Sequence, residues 1–558
     1  MRRPQRTLRA VVAAWLVVGS AGVGAANLSA ARAATPAVDP GPTPDAGCLP
    51  GSKPESTQGR ASALDYANGR AAQGYTCNLE PLGHYGQTGG FRVYRYVDTA
   101  GHECAFYDTA ILVPMNTLEA PGKSPGVYVL DMSDPAHPKQ TATLTTPAMI
   151  SPHESLSLNL ARGLLAADMG NALTLPGWVD IYDVRQDCRH PVLKSSTPLG
   201  ILGHEGTFSP DGNTFWVSST GGHTITALDI TNPTVPVPIW LGLNWVAHGM
   251  NVSDDGNRLY VADIANFGPD AGLAILDVSQ IQRRVPNPKV TQVSHLSWPE
   301  VSIPQTAIPV TINGHPYLVE VDEFTRQVSS AVDAKVGAAR IIDIADDTHP
   351  RVVSNLRLAV DMPSNRAGAQ QGDPGGDSGI LGYAAHYCAV PQRHEPGIVA
   401  CSFMASGMRV FDIRDPLHPK ELAYANQPAM ANNPWPKSYA MSAPAFVPER
   451  REIWYSDGFS GLYTVRLFNG VWPFPTGTAA AAARPTVVQG QSFSQPGAAA
   501  PPPASPASPA VAAAPGTLAA TGLAFPAAAP FALLGVGLAG RRWRRRISAR
   551  GSPAPASR

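Results

Sequence analysis

The chain has 558 residues, 44% of them hydrophobic, and 42 Lys and Arg balance 42 Asp and Glu to a formal charge of zero. Dense basic runs occur only at the two ends, so nothing favours nucleic acid as a partner. Its six cysteines lack the spacing of a zinc site and fit disulfides in an oxidising compartment.

The first element read from the sequence is a leader. Arg2, Arg3, Arg6 and Arg9 precede an apolar run from Ala10 to Val23 and the small-residue stretch Ala31-Arg32-Ala33-Ala34. That is the layout of a secretory signal peptide, residues 1–33, cleaved after Ala33 by the general route. An N-terminal extension, 34–74, follows it.

Residues 75–474 are dominated by an apolar strand ending in Asp that recurs about every fifty residues. The copies include Val127-Tyr-Val-Leu-Asp131-Met-Ser-Asp-Pro135, Val179-Asp-Ile-Tyr-Asp183, Ile225-Thr-Ala-Leu-Asp229-Ile-Thr-Asn-Pro233 and Leu273-Ala-Ile-Leu-Asp277. They continue with Arg340-Ile-Ile-Asp343, Met408-Arg-Val-Phe-Asp412-Ile-Arg-Asp-Pro416 and a degenerate Leu462-Tyr-Thr-Val-Arg466-Leu. Each Asp is expected to accept backbone N–H groups in the turn that follows, and each Pro to end the ladder. Upstream hairpins turn at Asp211-Gly212 and Asp255-Gly256, where glycine supplies the positive dihedral a tight turn needs. Four strands per unit and seven units make an all-β, seven-bladed β-propeller. The segment Tyr75–Leu82 is expected to complete the last blade, because an open ring would expose sheet edges.

The phrases "VLDMSDPAHP", "ALDITNP" and "VFDIRDPLHP" resemble the LVIVD-repeat family of secreted and cell-surface propellers, over roughly Cys77 to Phe474. The resemblance implies a fold and a location, not a reaction.

Histidines fall just before the innermost strand of four units: His153-Glu154, His204-Glu205, His248-Gly249 and His386-Tyr387. Equivalent positions point to one mouth of the channel, where imidazoles flanked by Glu154 and Glu205 are good ligands for zinc, copper or iron. The fifth blade offers Gln305 or Thr306 there, the seventh Ser442 or Ala443, and the first no clear equivalent. Four histidines in seven places therefore predict a wide ring, each imidazole with its own backbone, carboxylate or water partner and no cofactor. His137, His349 and His418 precede Pro in the repeated phrase and belong to its turn. The S-P-D-G-N and S-D-D-G-N segments lack the distal carboxylates of a calcium loop and read as hairpin turns. No nucleophile elbow occurs, so serine hydrolase chemistry has no support.

Two longer gaps between repeat aspartates contain Glu323–Gly337 and Asp361–Gly379, candidate recognition loops in which Asp373 and Asp377 are candidate ligand-binding residues. Cys388 and Cys401 flank a hairpin turn and suit a cross-strand disulfide. Residues 475–517 form an Ala/Pro-rich stalk that cannot bury enough apolar surface to order itself. Leu518-Ala519-Ala520-Thr521-Gly522, the apolar stretch 523–540 and the arginines from Arg541 to Arg546 then make up 518–558. This order resembles a cell-wall sorting signal of the L-A-x-T-G form, which implies sortase as processing partner, cleavage after Thr521 and transient membrane attachment. Plain membrane anchoring is the alternative.

Together these readings favour a non-enzymatic surface module binding a protein or glycan. The rivals are an extracytoplasmic metalloenzyme built on the four histidines, with Glu154 or Glu205 as its acid–base group, and a structural envelope protein.

Overall fold

The computed structural model describes residues 41–109, 125–168, 176–268, 270–326, 333–366, 368–378, 381–430 and 438–474. The expected leader, stalk and sorting signal lie outside them. Among the described residues no helix is long and apolar enough to cross a membrane.

Among the described residues seven antiparallel sheets of four or five strands succeed one another along the chain, and a two-stranded sheet, Thr325–Arg326 with Lys335–Val336, falls within the sequence of the fifth. Blade one runs Val93–Val97, Glu103–Asp108, Val127–Asp131 and Lys139–Leu144, and the pattern of inner strand, two middle strands and outer strand repeats through blade six. The middle strands carry the apolar runs and are mostly buried, completely so in Leu164–Asp168 and Ile398–Phe403. Outer strands such as Val192–Thr197 and Val237–Gly242 are largely open to solvent. Burial on both faces explains why the repeated phrase is a continuous aliphatic run instead of an alternating one.

The repeat aspartates do what their position requires. Asp131, Asp183, Asp229, Asp277, Asp343 and Asp412 each accept the N–H two residues on, at 2.8–3.0 Å. The turn that follows also staples neighbouring blades. Ser195 Oγ donates to Pro233 O, Ser354 Oγ to Pro416 O and Thr464 Oγ1 to Pro135 O, at 2.6–2.8 Å. Asp211 and Asp255 likewise bond Ser209 and Ser253 and the amides of Asn213 and Asn257, so both segments are turns.

Ring closure differs in register from the sequence expectation. Leu79–Tyr85, not Tyr75–Leu82, pairs with Gly461–Leu467 and completes blade seven, with Leu79 opposite Leu467 and Tyr85 opposite Leu462. Tyr75–Cys77 instead adds a fifth strand to blade six, against Lys420–Asn426. The chain changes blade at Asn78, whose φ of 60° is left-handed. Its side-chain amide donates to Gly47 O and Leu422 O and accepts Leu49 N–H, so the corner is held at three points. Asn tolerates this backbone better than most residues with a Cβ.

Three disulfides are present: Cys48–Cys77, Cys104–Cys188 and Cys388–Cys401. The third joins directly opposed residues of blade six, as its hairpin spacing indicates. The second links blade one to the loop after a middle strand of blade two, and the first ties the N-terminal extension to its added strand.

Candidate metal centre

The blade starts deliver their histidines to one place. His153 and His204 precede the inner strands Ser157–Asn159 and Glu205–Phe208, whereas His248 and His386 lie within Ala247–Val252 and Ala385–Ala389. Neighbouring rings touch: His153 and His204 are 4.7 Å apart by ring centroid, and so are His204 and His248. Phe91 of blade one completes the circle, 4.7 Å from His153 and 4.9 Å from His386. The expected wide, wet ring is therefore corrected to a tight cluster. Phe91 in blade one, Gln305 with Glu323 in blade five and Ser442 in blade seven take the places where histidine is missing.

At the centre lies the Glu154 carboxylate, 2% exposed. Its Oε2 is 3.0 Å from His204 Nε2 and 3.2 Å from His248 Nε2, and its Oε1 is 3.4 Å from His386 Nε2 and 4.0 Å from His153 Nε2. A second carboxylate arrives from blade five, where Glu323 ends the strand His315–Glu323. Its oxygens stand 3.5 Å from His248 Nε2 and 3.0 Å from His386 Nε2. The sequence reading did not identify Glu323 as part of this cluster. Its signal was the longer gap between repeat aspartates Asp277 and Asp343, which contains it.

Two histidines are locked by their other nitrogen. His248 Nδ1 bonds Pro304 O at 2.8 Å and His386 Nδ1 bonds Met441 O at 2.7 Å. A carbonyl can only accept, so each Nδ1 carries the proton and each Nε2 is turned inward. That is the arrangement in which a neutral imidazole ligates a metal. The inward atoms His204 Nε2, His386 Nε2, Glu154 Oε2 and Glu323 Oε2 are buried without an aligned hydrogen bond, although they stand in imidazole–carboxylate pairs at 3.0 Å.

The backbone around the centre is strained. His153 has φ 54°, the consecutive residues Ile201 and Leu202 that lead to His204 have φ 42° and 56°, and Phe324, next to Glu323, has φ 56°. Such conformations in residues with a Cβ cost of order 1–3 kcal/mol each and cluster at functional sites. Gly249 is required for a different reason: a Cβ there would run into Gln305 O and Glu205 Oε2.

Electrostatics divide the cluster. Burial is the largest influence on Glu154 and raises its pKa, but His204, His248 and His153 together hold it well below the usual carboxylate range. Burial brings His204 down to about 4 against the pull of Glu154, so this imidazole is neutral. Burial also lowers His248 and His386, but Glu323 and Glu154 overcome it and bring both up to about 9.

Below the histidines the axis is plugged. Arg92 donates through Nε to Glu154 O at 2.9 Å, pairs through Nη2 with Glu205 Oε1 at 3.0 Å, and stacks 4.1 Å above the Tyr387 ring. Tyr387 donates to Glu205 Oε2 and accepts from Gln305 Nε2. Glu205 thus faces Arg92 and Tyr387, and Gln305 supports the plug. Asp373 is buried and bonded to Arg60, the Ala63 amide and Tyr383, so it fastens the N-terminal extension, while Asp377 is exposed.

No family model matches the chain, and no curated protein matches it. Solved structures similar to it include Kuenenia stuttgartiensis hydrazine synthase, at 13% identity and TM-score 0.45 over 69% of this chain and 97% of that one. Another is the periplasmic gluconolactonase PpgL of Pseudomonas aeruginosa, at 13% identity and TM-score 0.41 over 63% and 94%. The Myceliophteria thermophila Cps50 (Swd1) β-propeller domain matches at 12% identity and TM-score 0.43 over 69% and 98%. Likenesses this remote carry no argument about activity.

Proposed function

We propose that the chain is an exported propeller that works through a transition metal held on its axis, with His153, His204, His248, His386, Glu154 and Glu323 as the donor set. The observation that carries this reading is the convergence of four imidazoles from four blades on one buried carboxylate. Imidazole and carboxylate together suit zinc, iron or copper. His153 and His204 keep 15% and 20% of their side-chain surface exposed, so a small ligand would approach past them. Three disulfides fit export, and the leader and the L-A-x-T-G tail support display at the cell wall by an LVIVD-type propeller.

The direct test is elemental analysis of the purified chain after dialysis against metal-free buffer. Retained metal, lost in Glu154→Ala, is expected. A wild-type chain free of metal that folds normally would leave a buried cluster of imidazoles and carboxylates without an ion and would overturn the reading. For display, Thr521→Ala should move the protein from wall material to the membrane fraction, and unchanged wall attachment would remove the sorting reading.

A second reading, a binding module for a protein or glycan, draws on the rim of blade three. There Val235, Val237, Leu241 and Leu243 are 49–66% exposed. A pull-down that their replacement by Ser abolishes while metal content is unchanged would favour it.

A further inference from the structure

We infer that the axial cluster holds two divalent cations bridged by Glu154, an outer ion on His153 and His204 and an inner ion on His248, His386 and Glu323. This rests on the metal-centre reading given above and goes beyond it in number, ligand assignment and order of release.

The donors do not form one group. Ligand atoms within 4.8 Å of one another fall into two triads, His153–Glu154–His204 and Glu154–His248–Glu323, and only Glu154 belongs to both. Donors around a single ion at ~2.0–2.2 Å lie no more than about 4.4 Å apart, so each triad closes on an ion with little movement and the whole set does not. Its carboxylate lies within 3.0–4.0 Å of all four Nε2 atoms, the reach a bridge between two ions needs. Two-metal sites place their ions about 3.5–4 Å apart, a span one carboxylate covers. Counting donors leads to the same end. Six protein ligands would saturate one octahedral ion, whereas a shared Glu154 gives each ion the three ligands of its triad. His386 lies outside both triads, although its Nε2 is 3.0 Å from Glu323 and 3.4 Å from Glu154, and it adds a fourth ligand to the inner ion on a shift of its ring.

The two halves also differ in support. The inner pair is fixed by the Nδ1 bonds to Pro304 and Met441, His248 and His386 are 4% and 0% exposed, and Phe324 stacks on His386 at 5.6 Å. The outer pair borders solvent and stands on the left-handed residues His153, Ile201 and Leu202. Open coordination positions therefore belong to the outer ion, which is the one to exchange first.

Titration of the metal-stripped full chain with cobalt(II), read by visible absorption and by metal content after gel filtration, separates the cases. Two equivalents per chain are expected, the second more weakly held. The His153→Gln/His204→Gln variant, altered at the two partly exposed positions, should keep one. A wild-type chain that takes up one equivalent overturns the two-ion inference and leaves the single-metal reading standing. A chain that takes up none overturns both. Loss of both ions in the outer-pair variant, with an unchanged far-ultraviolet spectrum, would also overturn the division into independent halves.

Discussion

Two sets of histidines occupy contrasting settings in this propeller. His137, His349 and His418 sit in the turn of the repeated phrase and are 80%, 74% and 81% exposed. Each bonds the Asp three residues before it at 2.9–3.0 Å, a contact made within one turn. The axial histidines are brought together from four blades, are at most 20% exposed, and share two carboxylates. The turn histidine is a local device copied with the repeat. The axial cluster exists only once the ring has closed, and it breaks the repeat, since Phe91, Gln305 with Glu323, and Ser442 stand where the other blades place histidine. Repetition marks the scaffold, and departure from repetition marks the site.

Closure is the sharpest way to break the comparison. Deleting residues 79–85 removes the strand that completes blade seven and should abolish both cooperative unfolding and metal retention, because the axial donors lose their common frame. The turn contacts need only their own residues and should persist in fragments. A deletion variant with the wild-type melting transition would contradict the observed closure.

An intermediate case is His102. Its Nδ1 bonds Asp98 Oδ2 at 2.9 Å, while Asp98 also accepts the amides of Cys188, Ala100 and His102 beside the Cys104–Cys188 disulfide. Burial raises the Asp98 pKa, but these donors, the Cys188 amide foremost, hold it below the usual carboxylate range. A depressed folded pKa stabilises the fold above the unfolded value near 3.9 and loses that effect as pH falls through the folded value. Asp98→Asn should cost about 1–2 kcal/mol at pH 7 in denaturant unfolding. The gap to wild type should narrow below about pH 4, and a gap independent of pH would contradict the assignment.

The smallest effect belongs to the turn histidines. His418→Ala loses one exposed contact to Asp415 and should leave both the melting temperature and the metal content indistinguishable from wild type. A marked loss of either would mean that the turn does more than end a strand.

Much of this was legible in the sequence. The repeated Asp and Pro fix the blades because each Asp caps its own turn, a contact that depends on neighbours along the chain. The four histidines were legible by their position at the start of an inner strand, two just ahead of it and two within its first residues. Their closeness was not, because Phe91 and Glu154 set it from blades one and two by filling the axis. Glu323 escaped because it comes from the end of a second strand, outside the pattern shared by the histidines. The register of closure turned on the left-handed corner at Asn78, which no periodicity records.

The central claim is that the axial cluster is a metal centre, and X-ray absorption at the edge of the metal retained by the purified chain tests it most directly. A first shell of imidazole nitrogen and carboxylate oxygen at ~2.0–2.2 Å, with the outer-shell scattering of several imidazole rings and its loss in Glu154→Ala, is the predicted result. A shell of water oxygens alone, unchanged in that variant, would contradict the account.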